Sequence, residues 1–192
     1  MTLKKIKQNA IEQFAEKGYD GTSVKEITKL VGITAPALYA HFSSKEELFL
    51  NVFQEALSEL VEKVKKAIIN TENENCERVL YSIYRVYLNE VVSLNPKMML
   101  ILRNTMFPQE DLRDKIIYIV RESNKSSEDR VKEVFDKGMK EGTVVTKSAE
   151  RYYRQFFKLI TAHIFEVLAF NIVLSEEQID AEWTEFWNAI KR

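Results

Sequence analysis

Glycine and proline are scarce in this chain, five and three among 192 residues, which disfavours a fold assembled from many strands and turns and favours one built mainly of helices. No segment alternates apolar and polar residues over any length, so a half-buried sheet lacks its signature. Cysteine is almost absent: Cys76 stands alone and cannot close an internal disulfide, and no apolar secretory run opens the sequence, so a reducing, cytoplasmic setting is expected. No apolar stretch approaches the roughly 20 residues that span a bilayer, which leaves a soluble protein without a membrane partner. Catalytic signatures are missing as well. The sequence shows no Ser-His-Asp or Cys-His arrangement, glycine-rich phosphate loop or nucleophile elbow. The two histidines, His41 and His163, lie far from each other and from Cys76, so no metal site and no cofactor are expected.

Charge of one sign is lacking too. The formal net charge is -1, which does not advertise a partner as acidic as DNA. Residues 1 to 49 carry seven lysines against six acids, a surplus of one. Any affinity for nucleic acid must then come from where the cations stand.

What is present is helical periodicity. Leu3, Ile6, Ala10 and Phe14 recur at three- and four-residue steps, predicting an amphipathic helix over 3 to 17 that Gly18 stops. Ser23 followed by Glu26 has capping-box spacing and opens a second helix whose apolar face is Val24, Ile27, Leu30 and Val31, with Gly32 as its terminator. Thr34 caps a third helix that tolerates Pro36 in its first turn and turns Leu38 and Phe42 inward. Ser43 and Ser44, each three residues before a glutamate, cap a fourth that runs through Phe49, Phe53, Leu57, Leu60, Val64 and Ile68. Two short helices joined by a glycine turn and followed at once by a third have the layout of a DNA-reading helix-turn-helix.

Further helices are predicted over 76 to 93, 97 to 107 and 109 to 141, with a soft spot at residues 123 to 127 and a stop at Gly138 and Gly142. Tyr152 to Leu174 is apolar on every side, and the last helix carries a stripe of Ile179, Trp183, Phe186, Trp187 and Ile190. Two tryptophans on a terminal helix would form an exposed patch unless a second copy covered them, so these two helices read as half of an intermolecular bundle. Its interface would comprise Phe165, Leu168, Ile179, Trp183, Phe186, Trp187 and Ile190. The expected architecture is all-α, about nine helices, with a three-helix DNA-binding domain at 1 to 46 and a larger domain at 47 to 192.

In helix-turn-helix docking the second helix of the motif presents its first turn to base edges while flanking groups grip phosphates. The base-facing candidates are Thr34, Ala35, Pro36, Ala37 and Ala40, small and mostly apolar side chains. The pairings of arginine with guanine and asparagine with adenine are largely closed to them, which points to thymine-methyl contact and DNA shape.

Taken in order, Ile6, Ala10, Phe14, Gly18-Tyr19, Thr22-Ser23, Ile27, Val31-Gly32-Ile33, Leu38-Tyr39, His41-Phe42 and Lys45-Glu46-Leu48-Phe49 resemble the TetR-type bacterial transcriptional regulators. The resemblance covers about the first fifty residues. It implies a homodimeric repressor that binds a double-stranded DNA operator through N-terminal heads and a small-molecule effector through its second domain. It further implies that Tyr39, His41, Lys45 and Ser23 hold phosphates; Lys25 and Lys29 would add charge on the same side.

By the same resemblance an effector cavity would be lined from Tyr84, Tyr87, Met99, Met106, Phe107, Tyr118 and Phe157, with Arg103 and His163 as polar anchors. Residue by residue, aromatic and methionine side chains at helical spacing are more often core than ligand contacts, and His163 reads as a hydrogen-bonded core histidine. The effector expected from this lining is apolar or aromatic. The rival readings are a helical ligand-binding or dimeric scaffold whose head no longer binds DNA, and an all-α enzyme, for which no acid, base or metal cluster is visible.

Overall fold

In a computed structural model that describes residues 2–170 and 172–192, Gly18 and Gly32 do the punctuation that their backbone freedom allows. Gly18 takes φ 76° and ψ 178° and breaks the first helix, α1 (Thr2–Gly21), into two pieces. Gly32 takes φ 76° and ψ 36°, the left-handed conformation that ends a helix at no steric cost, and closes α2 (Val24–Val31). Then come α3 (Ala35–Tyr39), α4 (Lys45–Asn70), α5 (Cys76–Val92) and α6 (Pro96–Met106). A 3-10 turn (Glu110–Leu112) leads into α7 (Arg113–Lys140), followed by α8 (Ala149–Phe170) and α9 (Glu176–Ile190). The all-α expectation holds: among the described residues there is no strand, only one isolated bridge between Val144 and Lys191. None of their helices is long and apolar enough to cross a membrane.

The chain forms two compact units. The first comprises the residues up to Leu60 together with Leu94–Ser123, the second Val61–Ser93 with Asn124–Arg192. α4 and α7 each contribute to both.

In the first unit Ile6, Ala10 and Phe14 of α1 are fully buried, as are Ile27, Leu38 and the Leu48, Phe49, Val52 and Phe53 stretch of α4. Phe14 and Phe49 meet edge to face at 5.2 Å. Burying one such ring contributes about 1.5–3 kcal/mol. α6 packs along α1, which no local pattern announced. Leu30, expected inward, is 56% exposed; Thr28 takes the buried position, its hydroxyl bonded to the Lys25 carbonyl.

In the second unit Tyr84, Phe135, Tyr152, Phe156 and Ile160 form the centre, and α5 packs on α8. Asn75 caps α5 and Ser175 caps α9 with Gln178 in a capping box. The expectation of an exposed tryptophan patch is corrected here. Trp183 and Trp187 are only 5% and 8% exposed, and Ile179 and Ile190 are also buried, because Trp183 lies against Tyr81, Tyr84 and Phe156 within the same unit. Of the seven proposed interface residues, Phe165 is exposed and Leu168 and Phe186 are half-buried.

Three boundaries differ from expectation. α3 ends at Tyr39 rather than Phe42, since the Ala40, His41 and Phe42 amides bond back into a tight turn on Pro36 and Leu38. Residues 123 to 127 continue α7 without a break, and Gly138 lies inside that helix. α8 stops at Phe170; Asn171 lies outside the described residues, and Ile172 to Leu174 are not helical.

Candidate nucleic-acid interface

The site begins with two caps. The Ser23 hydroxyl accepts from the Glu26 amide at 3.1 Å, and the Glu26 carboxylate accepts from the Ser23 amide at 3.0 Å and its hydroxyl at 2.9 Å. A cap of this kind is worth about 1 kcal/mol to a short helix. The Lys17 ammonium bonds the other Glu26 oxygen at 2.9 Å and, with the two Ser23 donors, holds the Glu26 carboxyl down to about 2. Ser23 therefore has its hydroxyl hydrogen committed to Glu26, and would donate to a phosphate only by exchanging that bond.

The second cap opens α4. The Glu47 amide donates to the Ser44 hydroxyl at 3.0 Å, while the Glu47 carboxylate accepts from the Ser43 amide at 2.6 Å and the Ser43 hydroxyl at 2.5 Å. Those Ser43 bonds, the hydroxyl first, lower the Glu47 carboxyl below its ordinary range. Glu46 is paired with Lys115.

Between the caps, α3 presents Thr34, Pro36, Ala37, Tyr39 and Ala40 to the exterior, with Ala35 half-buried and Leu38 alone fully inside. The Thr34 side chain makes no cap bond, which leaves its hydroxyl to an outside partner. His41 follows in the exposed turn. Lys25 and Lys29 are exposed on α2, and neither pairs with a carboxylate among the described residues. Lys45, at the first position of α4, is half-buried with its ammonium 4.2 Å from the centre of the Tyr19 ring.

This placement answers the charge deficit. Glu26, Glu46 and Glu47 are each tied to a partner, while Lys25 and Lys29 are not. The chemistry offered is a small, weakly polar helix face bordered by ammonium, imidazole and phenol donors, which suits a groove flanked by phosphates. Tyr19 is the contributor that helical periodicity did not assign, because its role depends on Lys45, 26 positions away.

The proposed effector residues are divided between the two units. Tyr84, Tyr87, Phe157 and His163 belong to the second unit; Met99, Arg103, Met106, Phe107 and Tyr118 to the first. Phe107 and Tyr118 are 81% and 67% exposed, and Met106 is exposed as well. Arg103, expected as a polar anchor, donates from its Nη1 to the Glu16 carbonyl at 3.0 Å.

In the second unit His163 is buried. Its Nδ1 lies 2.9 Å from the Leu159 carbonyl, which places the proton there, and its Nε2 lies 3.3 Å from the Tyr84 hydroxyl, which then donates. Burial first, and Glu182 next, push the Tyr84 phenol up. Tyr87, half-buried, packs edge to face on Phe157 at 5.6 Å, and desolvation raises its phenol. Its hydroxyl has no hydrogen-bond partner among the described residues.

Residues 6–52 match the family model described as "Bacterial regulatory proteins, tetR family", a span that includes α3 and the Ser23, Lys25, Lys29, His41 and Lys45 side chains. Two curated relatives match part of the chain. The transcriptional activator FasR of Mycolicibacterium smegmatis is 40% identical over 70 residues, 36% of this chain and 32% of that protein. The negative regulator of the biofilm operon icaADBC, IcaR of Staphylococcus epidermidis, is 51% identical over 45 residues, 23% of this chain and 24% of its own. The chain thus spans a third or less of either relative. The solved structure of the regulator PfmR from Thermus thermophilus superposes with a TM-score of 0.75 at 23% identity, covering 100% of this chain and 98% of that one.

Proposed function

We infer that this chain, which belongs through residues 6–52 to the TetR-type family of bacterial regulatory proteins, is a ligand-responsive transcriptional regulator that binds a double-stranded DNA operator as a homodimer. The observation that carries the reading is the outward face of α3, with unpaired Lys25 and Lys29 and exposed Tyr39 and His41 around it. Thr34, Ala35, Pro36, Ala37 and Ala40 meet the base edges. Tyr39, His41 and Lys45 grip phosphates, and Ser23 joins them by exchanging its bond to Glu26.

The protein acts as a repressor that its effector releases. Support comes from IcaR, a negative regulator 51% identical over the 45 residues it matches. The effector is small and apolar or aromatic, a reading supported by the aromatic contact of Tyr87 with Phe157. The second copy docks on the exposed faces of α8 and α9 around Phe165. Effector binding tilts α4, whose residues belong to both units, and so changes the spacing of two heads that must meet half-sites a fixed distance apart.

A gel shift on the chain's own upstream DNA tests the reading. Wild type retards it, and Tyr39→Phe with Lys45→Ala does not at the same concentration. Equal retardation by both would favour the scaffold reading with a head that no longer binds specifically.

A further inference from the structure

We propose that Arg103, far from α3 in sequence and outside its face, is a positioning residue for DNA reading: it clamps the break in α1 from which α2 and the Lys45 ammonium are aimed. Resting on the DNA-binding reading above, the proposal adds α6 to the parts of the molecule on which that binding depends.

The break is at Gly18, where the left-handed φ of 76° interrupts the helix. Helical bonding runs from an amide to the carbonyl four residues back, so a break here strips carbonyls of the preceding turn of their partners. Arg103 supplies one. Its Nη1 donates to the Glu16 carbonyl at 3.0 Å. Its Nε, Nη2 and Cζ stand 3.0, 3.1 and 3.3 Å from where a Cβ on Gly18 would be, so the guanidinium lies directly against the glycine.

Everything aimed at DNA from this side hangs on the next five residues. Tyr19 carries the Lys45 ammonium on its ring. Asp20 accepts from the Gln109 amide at 2.7 Å, a second link from the α6 side of the unit. Thr22 is buried and donates to the Gly18 carbonyl at 2.8 Å, and Ser23 is the cap of α2. A shift of the segment 18–22 therefore moves the start of α2 and the platform under Lys45 together. Arginine suits this position because its planar fork covers the glycine while donating, which a lysine cannot do.

The test uses the full-length chain and a duplex selected by wild type from random DNA, with dissociation constants measured across salt concentrations. Arg103→Ala is expected to bind about 10-fold more weakly, with the salt slope shallower by about one, because one phosphate contact from Lys45 is lost. Arg103→Lys should fall between, and Lys45→Ala combined with Arg103→Ala should flatten the slope no further than either alone. A loss of fold stability without mispositioning would leave the slope of the folded fraction unchanged. An unchanged slope, or Arg103→Ala affinity within about twofold of wild type, overturns the proposal. Should wild type select no duplex, the DNA-binding reading falls first. Amide exchange then decides the clamp: Arg103→Ala must quicken exchange at residues 19 to 24 while leaving α5 and α8 protected, and equal protection everywhere refutes it.

Discussion

The Lys45 ammonium rests 4.2 Å from the centre of the Tyr19 ring, held by the electron-rich face at the point where the fourth helix begins. A cation–π contact between two such half-buried side chains is worth about 0.5–1 kcal/mol, so it orders the lysine without locking it. Tyr19→Phe keeps the ring and should leave operator affinity near wild type. Tyr19→Leu removes the platform and should weaken binding about 2- to 5-fold, the equivalent of that energy. Equal affinities in a fluorescence-anisotropy titration would show that the ring does not present the cation.

The side chains proposed to face the bases, Thr34, Ala35, Pro36, Ala37 and Ala40, carry one hydroxyl and otherwise only methyl or ring carbons. Replacing thymine by uracil in a bound duplex removes C5 methyls and nothing else. At positions under α3, each substitution should cost about 0.8 kcal/mol, roughly fourfold in affinity. Affinity unchanged at every position would mean that sequence is not read through methyl contact.

Glu26 gives the head a pH dependence. The Lys17 ammonium and then the Ser23 donors hold its carboxyl at about 2, below the ordinary 4.5. A group depressed on folding contributes its stability in full above about pH 4.5 and loses it as pH falls toward 2. The melting-temperature gap between wild type and Glu26→Gln should therefore narrow steadily across that window. A gap that stays constant down to pH 2 contradicts the assignment. Because the pair is exposed, added salt should also shrink the gap.

Gly138 tests packing in the second unit. A Cβ there would stand 2.8 Å from the Cys76 sulfur and 2.9 Å from a Val144 methyl. Gly138→Ala should destabilise the chain by about 1–3 kcal/mol in thermal unfolding. Adding Cys76→Ala, which withdraws the sulfur, should restore part of that loss. The Cys76 thiol itself, pushed up to about 12 mainly by burial, stays neutral near pH 7.

Much of the first unit was legible because its signals are local. Ser23 with Glu26, Gly32, and Ser44 with Glu47 mark helix ends within a few residues and form the bonds they imply, whereas Ser43 bonds Glu47 instead of Glu46. What escaped depends on partners distant in sequence. The bond of Arg103 to the Glu16 carbonyl escaped because nothing nearby in the chain reveals that α6 lies on α1. Trp183 and Trp187 read as surface because a narrow stripe looks the same whether a second copy or the chain's own Tyr81, Tyr84 and Phe156 cover it. The end of α3 was misplaced for the opposite reason: helix and tight turn both keep Leu38 and Phe42 inward, so the apolar pattern does not distinguish them.

The central claim is that two copies of this chain read one duplex through α3. Selecting bound sequences from a random pool with the purified full-length protein addresses it most directly. The expected result is an enriched inverted repeat whose half-sites lie about 10–10.5 base pairs apart, or a multiple of that, as two-fold heads require. A pool that stays random after repeated rounds would contradict the account.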